Sequence, residues 1–215
     1  MSMINISIIM NRHRKLKSLH LLSKLIPIST IIDVGVSDKT AELIYLFPNK
    51  PHVLIEPNEA VYQDIVDEYR NINYTLVKKA VNQITTLDDE MLNISYPTPY
   101  LLKIDVDGGE LEVLAGAVNT LPICSCVVIE CVVGAGINIM SDMLNFFRTY
   151  NFSLWDITDM AYYRNNLWQV DLVLTNNNFL PVSEVEPIQR QYWQDDSKDW
   201  VTDSTIRSGE FLSEE

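Results

Sequence analysis

A chain of 215 residues, 47% hydrophobic and 21% charged, holds enough apolar material for one folded domain with its own core, which excludes a disordered chain. A formal net charge of −13 sets an acidic surface against phosphate backbones and excludes nucleic acid as the main partner. Three cysteines, the odd set Cys124, Cys126 and Cys131, exclude a disulfide framework and read as reduced core thiols.

The first ten residues are apolar, but they precede a basic segment, the reverse of a secretory signal. No run has the length of a membrane span, so a cytoplasmic protein without an integral membrane segment is expected. A helix is predicted over 12–25, with Leu16, Leu19, Leu22 and Leu25 at helical spacing. Its basic residues Arg12, Arg14, Lys15, Lys17 and Lys24 read as a solvated face. Pro27 ends it.

Short apolar runs then alternate with helical patterns, the signature of βα units. Strands are predicted over 30–36, 52–55, 74–81, 100–106 and 126–131, with a final pair over 153–157 and 169–175. Helices are predicted over 39–46, from an Asn58 cap to 69, over 109–117, and over 141–150 with Ser141 as cap. Thr86-Leu87-Asp88-Asp89 opens a linking segment, and an aromatic, polar loop joins the last two strands. The expectation is an α/β fold: a mostly parallel seven-stranded sheet with helices on both faces. Beyond 177 no period is visible, and nine acidic residues lie between Glu184 and Glu215. The predicted organisation is a helical segment at 1–29, a ligand-binding domain at 30–176 and an acidic tail at 177–215.

Ligands of open parallel sheets sit outside the carboxyl ends of strands, where strand order reverses. The first strand ends in Asp33-Val34-Gly35-Val36-Ser37. Gly35 lets a ligand approach the backbone, and Asp33 can accept from an ammonium group, directly or through water. The second strand ends in Glu56-Pro57, about twenty residues on, where an α/β nucleotide fold places an acid against ribose hydroxyls. A pyrophosphate would need a Gly-x-Gly-x-x-Gly turn, and only Gly35 is present. Two acids and one glycine suit the phosphate-free sulfonium cofactor S-adenosyl-L-methionine better than a nicotinamide dinucleotide.

The third motif is Lys103-Ile104-Asp105-Val106-Asp107-Gly108-Gly109-Glu110. A central parallel strand is apolar on both faces, so Lys103, Asp105 and Asp107 at its carboxyl end point to a site. Glu130, ending the run Val127-Val128-Ile129, is a partner for them if the fourth and fifth strands are neighbours.

Ile-Asp-Val-Gly, Ile-Glu-Pro, Thr-Leu-Asp-Asp, Lys-Ile-Asp-Val-Asp-Gly-Gly-Glu and Val-Ile-Glu follow one another from Ile32 to Glu130, and Gln169-Val170-Asp171-Leu172 closes the series. In this order they resemble the FkbM family of methyltransferases, over about 30–175. The resemblance implies a Rossmann-like class I methyltransferase sheet with an antiparallel last strand. It also implies O-methylation of a hydroxyl, on a sugar, glycan or small metabolite. Two departures stand out. Ser37 and Lys39 replace the family's usual asparagine and glycine, and Asp107 and Gly109 replace the commoner glutamate and alanine. Lys39 either pairs with the cofactor carboxylate or weakens cofactor binding.

On this reading Gly35, Ser37, Asp33, Glu56 and Pro57 hold the cofactor, with adenine near Ala80 and Val81. Asp105 or Asp107 is the candidate base, with Lys103 and Glu130 completing the catalytic group. Asp105 could instead contact the methionine amino group. Mg²⁺ on the acids ranks below direct base catalysis, and no metal site is expected. Trp155, Tyr162, Tyr163 and Trp168 with Arg164 either line an acceptor pocket or pack their loop on the sheet. The alternatives are a non-catalytic binding module with an altered cofactor loop and, further off, a nicotinamide-dependent oxidoreductase.

Overall fold

In the computed structural model, residues 6–134 and 139–181 are described, with side chains from Lys15 onward. The chain divides into two units, Met1–Pro181 and Val182–Glu215. The acidic run from Glu184 and the side chains of Arg12 and Arg14 lie outside the described residues.

Seven strands form one sheet: β1 (Thr30–Val34), β2 (His52–Ile55), β3 (Tyr74–Val77), β4 (Tyr100–Ile104), β5 (Cys124–Val132), β6 (Phe152–Tyr163) and β7 (Asn166–Asn176). Their order is β3-β2-β1-β4-β5-β7-β6. β1 to β5 are mutually parallel, and β7 runs antiparallel to both β5 and β6. The mostly parallel seven-stranded sheet with an antiparallel last strand is as the sequence predicts.

The helices are α1 (Ile6–Leu25), α2 (Ala41–Leu46), α3 (Tyr62–Glu68), α4 (Leu87–Met91), α5 (Glu110–Ala115) and α6 (Ile139–Thr149). Strand alternation splits the core between two faces. Ile32, Val34, Val53, Ile55, Leu102 and Ile104 face the helices α4, α5 and α6, whose Leu87, Val113, Leu114, Met143 and Phe147 are buried against them. Leu54 faces the other way, with Val36 and with Ile65 and Tyr69 from α3 and its end. α1 packs on β6. It buries Leu19, Leu22 and, just past its end, Ile26 completely or nearly so. Each such side chain contributes roughly 1.5–3 kcal/mol.

Several boundaries differ from the sequence reading, each for a local reason. The buried side of α1 carries Lys15 and Ser18 beside Leu19 and Leu22, while Leu25 is exposed. Lys15 therefore does not sit on a solvated face. β3 stops at Val77 because its partner stops at Ile55 and the next amide, that of Glu56, closes on the Val77 carbonyl. Asn58 caps a single 3₁₀ turn by accepting from the Ala60 amide, and α3 follows it. The linking segment contains α4, where Thr86 accepts from the Asp89 amide. Ser141 lies inside α6 rather than capping it.

The aromatic loop is not a loop. β6 and β7 continue into a hairpin whose two turn residues, Arg164 and Asn165, have φ of 48° and 66°. Two consecutive left-handed residues make the type I′ turn that suits the twist of paired strands. Asn165 tolerates that conformation without the glycine that usually announces it.

Candidate functional site

Strand order reverses at β1, with β2 on one side and β4 on the other, and the loops leaving β1 and β4 meet at the carboxyl edge. Gly35 is where they touch. Its φ is +82°, and a Cβ there would lie 1.8 Å from the Asp105 carbonyl oxygen. No side chain fits without separating the two loops. The turn continues through Ser37, at φ +54°, whose amide donates to Glu56 Oε2 at 2.9 Å. The Asn58 amide donates to Glu56 Oε1 at 2.8 Å. Glu56 thus ties the loop after β1 to the loop after β2. A carboxylate has about four acceptor positions, so two remain for a ligand.

Three cavities open along this edge, and all three share Gly35. The largest, about 440 Å³, is charged: Asp38, Glu42, Asp105, Asp107 and Asp159 line it with Lys15, Lys39 and Lys103. Five carboxylates against three ammonium groups leave it net negative. The second, about 300 Å³, lies over Glu56, Pro57 and Asn58 and also touches Ser37, Asp105 and Asp107. The third, about 310 Å³, has an apolar floor of Val34, Ile55, Val81 and Val106, with Pro57 and Ala80 beside it.

Within the fourth-strand motif, Lys103 is buried and its Nζ lies 3.2 Å from both Asp33 Oδ1 and Asp105 Oδ2. Burial works against its charge, but Asp33 and Asp105 outweigh this and hold its pKa above the ordinary lysine value. Asp107 (φ +54°) and Gly108 (φ +104°) turn the chain into α5. Glu110 closes that turn by accepting from the amides of Val106, at 3.2 Å, and Gly108, at 3.0 Å. Asp88 of the Thr-Leu-Asp-Asp motif does similar work, accepting from the amides of Asn119 and Thr120.

β4 and β5 are neighbours, which brings Glu130 to the same sheet face as Lys103. Its carboxyl is pushed up to about 7, first by burial and then by the negative charges of Asp105, Glu110, Asp171 and Asp107. Its Oε1 accepts from Gln169 Nε2 on β7.

The candidate residues Gly35, Ser37, Glu56, Pro57, Ala80, Val81, Lys103, Asp105 and Asp107 all line the three cavities. Asp33 and Glu130 do not. Glu130 is buried on the sheet face of Lys103. Asp33 is fully buried beneath Lys103, one residue before the end of β1, so it anchors that lysine rather than meeting an ammonium ligand directly. Lys39 at the rim is engaged with Glu68 of α3 at 2.7 Å. The hairpin aromatics line none of the three cavities. Tyr163 packs edge-on against Trp168, Arg164 lies over the Tyr163 ring, and Tyr162 is exposed.

One group escaped the sequence reading. Lys15 Nζ meets Asp171 at 2.5 Å, Asp159 at 2.6 Å and Glu42 at 3.2 Å. Asp159 has φ +47° at a register break in β6, between Thr158 and Ala161. A charged residue, Asp171, inside an otherwise apolar strand was the available signal. Its partner on α1 carried none, because a lysine among leucines reads equally well as solvated.

Residues 68–154 match the family model of the methyltransferase FkbM domain, so the resemblance read from the motifs is matched over that stretch. No curated protein matches the chain in sequence. Solved structures with the same fold include an rRNA methylase from Streptococcus thermophilus, 11% identical with a TM-score of 0.53, covering 77% of this chain and 96% of its own. The N-methyltransferase NodS from Bradyrhizobium japonicum is 11% identical with a TM-score of 0.52, over 80% of this chain and 98% of that one. Magnesium protoporphyrin IX methyltransferase from Synechocystis, solved with bound S-adenosylhomocysteine, is 10% identical with a TM-score of 0.52, over 82% and 88%. The fold is that of the Rossmann-like class I methyltransferases.

Proposed function

We propose that the chain is an S-adenosylmethionine-dependent O-methyltransferase acting on a hydroxyl of a sugar, glycan or small metabolite. The observation that carries this reading is the sequence of three adjoining cavities at Gly35. The apolar floor of Val34, Ile55, Val81 and Val106 suits adenine. Glu56 suits ribose hydroxyls with its two remaining acceptor positions. The net-negative cavity suits the cationic methionine end. When bound, the cofactor supplies an electrophilic methyl group.

The chain's own residues then have distinct tasks. Gly35 keeps the β1 and β4 loops in contact, so the cavities stay continuous. Lys103, fixed by Asp33, holds Asp105 at the junction of the charged and ribose cavities. In place of Asp105 or Asp107, the base expected from the motif, Glu130 on the Lys103 face takes the proton of the acceptor hydroxyl: a carboxyl near 7 is matched to neutral operating pH, where a positioned base is worth roughly 10²–10⁴-fold. Gln169 orients it by donating to Oε1, and Asp107 lines the charged cavity. The proposed type of acceptor rests on what the FkbM resemblance implies.

Titration calorimetry with S-adenosylhomocysteine tests the reading. Binding in the micromolar range that is lost in Gly35→Ala is expected. Absence of binding by the wild-type protein would overturn it. Transfer of radiolabelled methyl groups to a panel of glycans and hydroxylated metabolites then identifies the acceptor.

A further inference from the structure

We infer that Lys15 of the N-terminal helix is a positioning residue of the charged cavity, clamping the wall formed by α2 to the terminal hairpin. The inference takes its ligand from the methyltransferase reading. The contact set itself stands apart from it.

Three carboxylates from three separate elements converge on one ammonium group: Glu42 from the first turn of α2, Asp159 from β6 and Asp171 from β7. Lys15 has three N–H donors, and these three acceptors use them all. It therefore has no donor left for a ligand carboxylate, which makes it a positioning residue and not a binding one. Lys15, Glu42 and Asp159 nevertheless all line the cavity. The clamp forms part of the cavity wall.

Simple fold stability does not account for this arrangement. Lys15 lies on the buried side of α1, one turn before Leu19. An apolar side chain there would avoid the desolvation of one ammonium and three carboxylates, and such replacements are often neutral or stabilising. Asp159 also adopts a left-handed backbone at a strand bulge, a conformation that costs strain and re-aims its side chain toward Lys15. What the four charges do achieve is a fixed distance between α2 and the hairpin. The segment Asp38 to Glu42, which walls the cavity, is held by its far end.

The test compares wild type, Lys15→Met, Lys15→Arg and Asp159→Asn. S-adenosylhomocysteine affinity is measured by calorimetry, and amide hydrogen exchange is measured without ligand. Lys15→Met, shown folded by circular dichroism, is expected to bind about tenfold or more weakly, with Lys15→Arg returning affinity to within about threefold of wild type. Exchange should quicken at 38–42 and 158–160 but not within 100–104. Should Lys15→Met fail to fold, Asp159→Asn removes one arm only and should still quicken exchange at 38–42, on the opposite side of the clamp. Wild-type affinity in Lys15→Met, or unchanged exchange at 38–42 in whichever variant folds, overturns the inference. If wild type binds no S-adenosylhomocysteine, the functional reading fails, and the exchange data alone decide the clamp.

Discussion

Replacing Glu130 by glutamine separates the charge of this residue from its shape. The carboxyl is raised from 4.5 to about 7 by burial and by surrounding acids. A folded-state value above the unfolded one means that the native state binds the extra proton. The associated stability is complete below about pH 4.5 and is lost as pH rises through about 7. At about 1.36 kcal/mol per pH unit, the loss by pH 8 is about 3 kcal/mol. Glutamine is neutral throughout and still offers an oxygen to Gln169 Nε2. Glu130→Gln should therefore match wild type at pH 4.5 and exceed it by up to about 3 kcal/mol at pH 8, roughly 6–12 °C in Tm for a chain of this size. Thermal unfolding followed by circular dichroism at half-unit intervals from pH 4.5 to 8 reads this directly. Methyl transfer should move the opposite way, falling roughly 10²–10⁴-fold at pH 8. Wild-type turnover should climb with pH up to about 7 and then level. Parallel Tm curves for the two proteins would show that Glu130 gives up its proton at ordinary acidity. Full turnover in the variant would remove it as the base.

Gly35→Ala should destabilise the protein by about 2 kcal/mol or more, since φ is +82° and the new Cβ meets the Asp105 carbonyl; urea titration measures this, and unchanged stability would refute the contact. Glu56→Ala leaves the amides of Ser37 and Asn58 without their acceptor, and S-adenosylhomocysteine affinity should fall by about one to two orders of magnitude in calorimetry, with wild-type affinity refuting the ribose role. Lys103→Met strands Asp33 in the core and should cost about 3–5 kcal/mol at pH 7 in urea titration. Unchanged stability would show that Asp33 has another partner.

Most of the sheet was legible because its signals are local. β-branched runs bounded by Pro51 and Pro57 make β2 plain, and the charged end of an apolar strand marks β4 as a site. Glu56, Gly35 and Asp105 followed from spacing and strand position. What stayed hidden depends on pairing. The hairpin turn carries Arg164-Asn165 and no glycine, so strands of 12 and 11 residues read as a loop between two short ones. Asp33 and Asp105 both end strands in acid, but only the alignment of Asp33 beside Lys103 shows which is buried and which reaches the cavity. Lys15 is further out of reach, since its three partners lie between 27 and 156 residues away along the chain.

The proton affinity of Glu130 follows from how charges are matched on one sheet face. Asp33 and Asp105 share Lys103, and Asp171 is paired with Lys15. Glu130 lies opposite Asp171 in the β5–β7 register and next to the β4 acids, yet its partner is the neutral amide of Gln169. With Glu42 and Asp159 also on Lys15, six carboxylates thus face two ammonium groups. Each lysine is already shared among two or more of these acids, so neither has charge to spare for Glu130. The least costly way to reduce the imbalance is to leave one acid protonated, and the acid without a cation is the one that yields. Burial raises the Glu130 carboxyl first, and the unpaired charge of its neighbours adds to it. Its proton affinity should therefore fall part of the way when Asp105 is neutralised, and by less when Asp171 is.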